Sequence, residues 1–492
     1  MWDSKRIAGL LQGKLKGDPQ ALAWGASIDS RQVREGNIFF ALQGEKVDGH
    51  DYMEAAWDNG ANVVIGEKER LETRLKLTIP PGKALIQVES GLKAIQALAK
   101  AWRQELGAKV VGITGSNGKT TTKDMVAAVL SQKYRVHKNL ENQNNELGLP
   151  LTILNAPEKT EILVLEMGMR GLGQIAFLCE IAQPDLGVIT NIGTTHLELL
   201  GTQANIAKAK WELIEALPET GVAVLNSEDE WSVKQATNTQ RCFFYGLKGK
   251  YHKPDLQGIN LAPFGTLGTR FQVRYLGQRD GSFVPVGQGG SFAMPNLAGM
   301  DKEEVTVELP LPGEHNVLDA LAALSIGLLC QVPLAEGCRG LREMELSRMR
   351  LELQPGIYGS TLISDVYNAN PTSMKASLQV LKERGGNYTL AILGEMYELG
   401  SSSAQGHYEV GQAVAELGIS ELIAVGEMAG EIARGALDKG MAPDKIHFFS
   451  ERATAISKAQ AILAGNSPGA WVLIKASRGM KMEEVTKALH QG

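Results

Sequence analysis

The sequence predicts an α/β protein of three domains: a small N-terminal α/β domain over 1–84, a central P-loop domain with a parallel sheet over 85–311, and a Rossmann-like C-terminal domain over 312–492. Three observations carry this expectation. Short apolar runs alternate with helical patterns along most of the chain, as in a mainly parallel sheet wrapped by helices on both faces. One glycine-rich turn, GITGSNGKTTTK at 112–123, stands between an apolar run and a helix-like segment. A chain of 492 residues also exceeds what a single hydrophobic core serves.

The elements follow in order. In the first domain 37–42 and 62–65 read as strands and 52–59 as a helix, and Pro80, Pro81 and Gly82 punctuate its end. A helical pattern over 92–106 leads to the strand-like 110–113, the glycine-rich turn, and a helix over 123–130. The runs 161–165 and 186–189 continue the parallel sheet. Residues 239–310 differ: alternation over 270–275 and many glycines over 277–299 suggest antiparallel strands and loops at the edge of the central domain. From Pro312 a new unit is expected, with strands at 361–365, 389–393, 421–425 and 471–475 between helical patterns, again doubly wound.

Composition narrows the function classes. A net charge of −5 offers no general attraction for nucleic acid or anionic lipid, so anionic ligands must be held by local groups. Cys179, Cys242, Cys330 and Cys338 show no metal spacing, which points to a reducing compartment. The mixed-charge N-terminus lacks a secretory apolar stretch, and no apolar run approaches membrane-spanning length. A cytoplasmic enzyme is expected, with neither nucleic acid partner nor membrane insertion.

The glycine-rich turn is a phosphate cradle. Its glycines let successive N–H groups converge on an anion at a helix N-terminus, where the helix dipole also favours negative charge. Thr114, Gly115, Ser116, Asn117, Gly118, Lys119, Thr120 and Thr121 form the candidate ATP-binding run, with Lys119 reaching the β/γ-phosphates and Thr120 holding Mg²⁺. Ile113 stands where the usual pattern has glycine, so the motif is a variant.

Polar residues just beyond strands carry the remaining chemistry, because ligands in open α/β sheets gather at the carboxyl ends. Glu166 ends ILVLE and is either a Mg²⁺ ligand or a capping, solvated glutamate. His196 follows another strand and is either structural or ligating; Lys208 and Lys210 lie on a helical stretch nearby. Asp365 ends a third-domain strand, followed by Tyr367, Asn368 and Asn370, a set that also suits an ordinary turn before Pro371. His315 and Asn316 open a helix, and SRMRLE supplies Arg348 and Arg350; an amide can recognise adenine and a guanidinium can neutralise a transferring phosphoryl group.

In this order TGSNGKTTT, NQNNELGLP, LEMG, TNIGTTHLE, AKAK, PGEHNVLDALAAL, SRMRLE and SDVYNANP resemble the Mur ligases, ATP-dependent amide-forming enzymes of peptidoglycan synthesis. Within that family the 29–61 segment, EMGMRGLGQI, DVYNANPTSM, GEMYELG and KASRGMKME look most like the MurF branch. The resemblance implies a UDP-sugar-binding first domain, an ATP-binding second and a ligase third. It implies UDP-N-acetylmuramoyl-tripeptide and D-alanyl-D-alanine as substrates, joined through an acyl phosphate by a monomer. It further implies Lys119, His196, Lys210 and Arg348 as catalytic residues, and two Mg²⁺ ions at Thr120, Glu166, His196 and Lys210, the lysine carrying a CO₂ adduct. Asn145 and Arg348 would lie at the γ-phosphate, Asn316 at adenine and Asp365 at the nucleotide. Ser30, Arg31, Gly44, Lys46 and Asp48 would bind UDP, and Asn368, Asn370, Lys475 and Arg478 the substrate side of the third domain. Two positions depart from the family: Asp319 stands where asparagine is common, and Ala476 where glycine is. A folate polyglutamate ligase would share the phosphate loop but not the 29–61 segment; a MurE-type enzyme would carry DNPR, which is absent; and a P-loop switch would hydrolyse ATP without joining substrates.

Overall fold

Runs of buried Val, Ile and Leu line up into three large sheets, beside a two-stranded pair of Trp2–Asp3 and Leu22–Ala23, in a computed structural model that describes residues 1–72, 77–140, 143–236, 241–265, 267–276, 304–344, 349–386, 388–466 and 468–491. The first sheet has five strands in the order Lys14–Gly17, Ala84–Val88, Val63–Glu67, Ile38–Phe40 and Ala26–Ser27, parallel except for its first pair. Ala84–Val88 is interior to this sheet, so the first unit runs past the expected end at 84; the prolines that suggested a boundary only turn the chain into that strand.

The central sheet has nine strands. Lys109–Thr114 lies between Ile162–Glu166 and Leu186–Ile189, all parallel. After Lys109–Thr114 the chain builds Val136–Lys138 and Ile162–Glu166 on one side, then crosses to Leu186–Ile189, Val222–Asn226 and Cys242–Gly246 on the other. That crossing opens a crevice at the carboxyl end of Lys109–Thr114, where the phosphate loop sits. Leu256–Phe264, Gly268–Tyr275 and Val305–Leu309 finish the edge as an antiparallel set, as the alternation over 270–275 suggested. The glycine-rich stretch over 277–299 lies outside the described residues.

The helices Glu314–Leu329 and Leu334–Arg342 differ from expectation. Both pack on the P-loop helix Lys119–Leu130 and share its core of Met125, Val126, Val129, Leu321, Leu324 and Leu341. Pro312 and Gly313 therefore start a central helix rather than a new domain. Glu314–Leu329 is apolar nearly all round because it lies between neighbours on several sides, and an all-round apolar helix belongs in a core. The third sheet begins later, in the order Glu352–Pro355, Thr361–Asp365, Trp471–Lys475, Thr389–Gly394, Glu421–Val425 and Ile446–Phe449, with only its first pair antiparallel. Apolar clusters cover both faces of that sheet, which explains its near-continuous hydrophobic strands. Among the described residues no helix is long and apolar enough to cross a membrane.

Candidate active site

The phosphate loop joins Lys109–Thr114 to the helix Lys119–Leu130. Gly118 caps that helix with φ 78°, a left-handed conformation that glycine adopts freely. A Cβ on Gly115 would lie 1.9 Å from Thr190 Oγ1, so the turn can pass there only as glycine. The segment after Leu186–Ile189 braces the loop: Ser116 N–H donates to the Asn191 carbonyl (2.9 Å), Asn117 N–H to Asn191 Oδ1 (3.0 Å), and Gly193 N–H to Ser116 Oγ (2.8 Å). TNIG is thus a scaffold of the cradle, a role that motif reading did not assign. Thr114 Oγ1 donates to the Met167 carbonyl, tying the loop's first residue to the Glu166 strand end (3.0 Å). Thr121 is half-buried in the first helical turn.

Lys119 Nζ donates to the Gly115 carbonyl (2.8 Å) across its own loop, and burial lowers its pKa. Thr120 Oγ1 donates to Glu166 Oε2 (2.7 Å), and Asn144 Nδ2 donates to Glu166 Oε1 (2.7 Å). Asn145, expected beside the γ-phosphate, is exposed and accepts from Gly148 N–H (2.8 Å), while its neighbour Asn144 meets the carboxylate. Lys210 is 2 % exposed; burial first, and then the nearby Lys119 charge, push its pKa well below the ordinary lysine value. His196 takes φ 67°, and its Nδ1 lies 3.1 Å from Glu398 Oε2, within ion-pair reach, yet no group meets that buried nitrogen in hydrogen-bonding geometry.

The third unit reaches this cluster from several sides. Arg348 lies outside the described residues, and it is Arg350 whose Nη2 donates to Thr120 Oγ1 (2.9 Å) while the guanidinium stacks 4.2 Å from the Tyr367 ring centroid. Arg350 Nε is buried without an acceptor. Asn370 caps the helix Pro371–Arg384 through Ser373 N–H (2.9 Å) and its amide also meets Asn117 Oδ1 and Thr195 Oγ1. Glu398, half-exposed, approaches His196 and Arg170; the imidazole beside it holds its carboxyl below the usual range.

Other expected residues have internal partners. Lys475, 2 % exposed, donates to Asp365 Oδ2 (2.5 Å) and to the Asn368 carbonyl (3.1 Å). Burial alone would raise the Asp365 pKa, but the Lys475 ammonium and the Ser377 hydroxyl (2.7 Å) outweigh it and hold the carboxyl low. Both bonds tie the Lys475 ammonium to the strand end and turn of its own unit. Asn368 Oδ1 accepts from Ala369 N–H (2.9 Å), and Arg478 lies at the surface beside Met349 and Glu483. Asn316 is buried, donating to the Pro312 carbonyl (2.6 Å). Asp319, 6 % exposed, accepts from Thr122 Oγ1 (3.0 Å) below Gly118, and burial pushes its carboxyl up to about 8.

The first-domain set lies apart from this cluster. Arg31 is exposed and forms a two-pronged bond to Asp29 (2.9 and 2.8 Å), which draws the Asp29 carboxyl down to about 2; Ser30 between them is buried. Gly44 and Lys46 lie in an exposed turn closed by Gly44 N–H to the Val47 carbonyl (2.9 Å). Asp48 Oδ1 meets Nδ1 of the buried His50 (2.6 Å), whose Nε2 accepts from Glu67 N–H (2.9 Å), so Nδ1 carries the proton.

Hard oxygen donors at Thr120 and Glu166, with the unpartnered nitrogen of His196, fit Mg²⁺; Lys210 fits only as a carbamate. Among the described residues no three His, Cys, Asp or Glu side chains cluster as a metal cage.

A phosphate loop, a carboxylate at the neighbouring strand end and an arginine delivered by a separate doubly wound unit define an ATP-dependent ligase. Residues 25–103 match the Mur ligase family catalytic domain, 113–327 the Mur ligase middle domain and 349–478 the Mur ligase glutamate ligase domain. The chain belongs to the Mur ligase family, on its MurF branch. It is 37% identical to the UDP-N-acetylmuramoyl-tripeptide–D-alanyl-D-alanine ligase of Bacillus subtilis, over 99% of this chain and 97% of that one. The Escherichia coli ligase of the same name is 31% identical over 99% and 98%. MurF from Acinetobacter baumannii superposes with a TM-score of 0.81 at 28% identity, covering 99% and 98% of the two chains. MurF from Thermotoga maritima in complex with ADP gives 0.74 at 28%, covering 95% and 97%.

Proposed function

We propose that this protein joins D-alanyl-D-alanine to UDP-N-acetylmuramoyl-tripeptide with ATP, through an acyl phosphate, as a monomer in cytoplasmic peptidoglycan precursor synthesis. The observation that carries the reading is the meeting of Lys119, Thr120, Glu166 and Arg350 at one loop, in a chain similar over its whole length to ligases of that name.

The tripeptide carboxylate must approach the γ-phosphate, so two anions are brought together. Lys119 sits in the cradle with its cation on the loop carbonyls, ready to exchange them for phosphate oxygens. Arg350 presents a buried, unpartnered Nε beside Thr120, a donor that a phosphoryl oxygen would satisfy. Held by Thr120, Glu166, His196 and a carbamylated Lys210, Mg²⁺ would screen phosphate charge and polarise the transferring group. The carboxylate oxygen then forms a bond to the γ-phosphorus as the bond to ADP breaks. The amine nitrogen attacks the acyl carbon, phosphate leaves with the bonding electrons, and the amine proton passes to solvent or to phosphate. Ser30, Arg31, Gly44, Lys46 and Asp48 would anchor the UDP end. Asn316 would serve adenine, and Asn368, Asn370 and Arg478 the third-domain side of the cleft.

The test is phosphate release from ATP with UDP-N-acetylmuramoyl-tripeptide, with and without D-alanyl-D-alanine, alongside mass detection of the joined product. Release that depends on both partners is expected. Equal release without the dipeptide, and no product, would turn the reading toward a P-loop switch.

A further inference from the structure

The Glu166 carboxylate stands at the last position of its strand, where the sheet holds the backbone from one side only. Toward Lys109–Thr114 the pairing runs to the end, with Glu166 opposite Ile113. On the other flank Val136–Lys138 stops opposite Val164. Ile162 N–H donates to the Arg135 carbonyl, and at the two-residue period of a parallel ladder the same pattern would bring Glu166 N–H to the Asn139 carbonyl. A side chain takes that place. Glu166 N–H donates to Asn139 Oδ1 (2.9 Å), and Asn139 Nδ2 donates back to the Glu166 carbonyl (3.0 Å), so one amide stands in for the missing strand residue.

The exchange leaves the other groups of Asn139 to meet the rest of the site. Its Nδ2 also donates to the Gln143 carbonyl (2.8 Å), one residue before the Asn144 whose amide meets Glu166 Oε1. Its backbone carbonyl accepts from Lys123 Nζ (2.8 Å), a lysine of the P-loop helix one turn beyond Thr120. Asn139 is fully buried and Lys123 is 1 % exposed, and an ammonium at that depth is costly unless its surroundings compensate it. Asp124 does so from 3.7 Å while also accepting from Lys138 (2.5 Å). Asn139 thus joins three pieces that surround the carboxylate: the strand that ends in Glu166, the loop that brings Asn144, and the helix that brings Thr120.

We infer that Asn139, held from the P-loop helix by Lys123, is the positioning residue that aims the Glu166 carboxylate at a divalent cation on the nucleotide phosphates. This rests on the reading of Glu166 as a Mg²⁺ ligand and adds a support that lies outside the ligand set. Partners of this kind fix the direction of a metal ligand, and their loss weakens the metal rather than the fold as a whole.

The experiment titrates the full-length protein with ADP by calorimetry, once with Mg²⁺ and once in EDTA. Asn139→Ala should weaken ADP binding with Mg²⁺ about tenfold or more and leave binding in EDTA within about twofold, because only the metal complex uses the direction of Glu166. Asn139→Asp keeps an acceptor for Glu166 N–H but sets an anion against the Glu166 and Gln143 carbonyls, so it should do no better than alanine. Asn139→Thr, whose hydroxyl can accept from that N–H and donate to one carbonyl, should recover part of the loss. Lys123→Met removes only the outer tie and should weaken ADP with Mg²⁺ about threefold, again with little change in EDTA; it carries the test if circular dichroism shows the Asn139 variants unfolded. Equal weakening with and without Mg²⁺, or affinity with Mg²⁺ that stays at the unaltered value in the folded variants, would overturn the assignment. If the unaltered protein binds ADP equally with Mg²⁺ and in EDTA, the metal reading of Glu166 fails and takes the role of Asn139 with it, a result distinct from one in which only the variants depart from expectation.

Discussion

Replacing Asp319 by Asn should stabilise the protein, and by more as the pH rises. Asp319 is 6 % exposed, and burial lifts its carboxyl from 3.8 to about 8 against the smaller opposing effects of Thr122 and Arg350. Below pH 3.8 folded and unfolded chains both hold the proton, and this position takes nothing from stability. Between 3.8 and about 8 the folded chain keeps the proton and the unfolded chain gives it up, so stability falls as pH rises, by about 1.4 kcal/mol per unit. The loss relative to a neutral isostere reaches roughly 4 kcal/mol at pH 7 and grows by about 2 kcal/mol between pH 6 and 8. An amide retains hydrogen-bonding capacity toward Thr122 Oγ1, so the substitution removes the charge with little change of shape. In a unit of roughly 200 residues, 1 kcal/mol moves Tm by about 2–4 °C. Thermal melts of the two proteins at pH 6, 7 and 8 should therefore show a Tm gap that widens by roughly 4–8 °C across the series. A gap that stays constant with pH would refute the reasoning, because no other consequence of the substitution carries that slope.

Three further outcomes are expected. Arg350→Ala should cut kcat about 1,000-fold, some 4 kcal/mol, by removing a cation from a transferring phosphoryl group; quenched-flow phosphate release reads it, and a loss under tenfold would contradict the role. Arg350→Lys should recover little, since the stack on Tyr367 needs a planar guanidinium and an ammonium offers no second donor like the free Nε. Lys475→Met leaves Asp365 buried and unpaired, so the third unit should lose about 3–5 kcal/mol in denaturant melts, most of it restored by adding Asp365→Asn; an unaltered midpoint would refute the pairing. Burial pushes the Lys210 pKa well below that of a free lysine, which favours the neutral amine to which CO₂ adds. Activity should fall in CO₂-free buffer and return with bicarbonate, whereas Lys210→Ala should be inactive in both; CO₂-insensitive activity of the unaltered enzyme would dismiss the carbamate.

The phosphate loop and the strands beside it were legible because local sequence dictates them: a buried Val and Ile run, glycines where a side chain would collide, then a helix. The third-domain strands were legible for the same reason. What local sequence does not carry is the set of contacts made with partners elsewhere along the chain. Pro312 and Gly313 look like a boundary, and only the packing of Glu314–Leu329 on Lys119–Leu130 makes them the start of a central helix. Asn144 and Asn145 are adjacent and chemically alike, so nothing local says which amide turns toward Glu166 and which toward Gly148 N–H. Lys475 reads as an available cation at a strand end until Asp365, 110 positions earlier, is seen to neutralise it in the interior. Arg350 makes a contact to Thr120 that its place in SRMRLE does not announce, and Arg348 of the same motif lies outside the described residues.

These differences share a cause that bears on mechanism. The site's fixed parts, the loop and Glu166, come from one sheet and are encoded within about 60 residues. Its other charged groups, Arg350 and Glu398, together with the Asn370 amide, arrive from the third unit and meet the central one at Thr120, His196 and Asn117. Each of these contacts joins a polar group of one unit to a polar group of the other, and none is an apolar seam. Contacts of this kind break at small cost when water replaces them. Apolar contact between the units lies away from these groups, where Leu267 of the central sheet's edge joins the third unit's apolar cluster. Arg350 meets Thr120 in the same arrangement that brings Glu398 to His196, so both contacts form together where the third unit meets the central one.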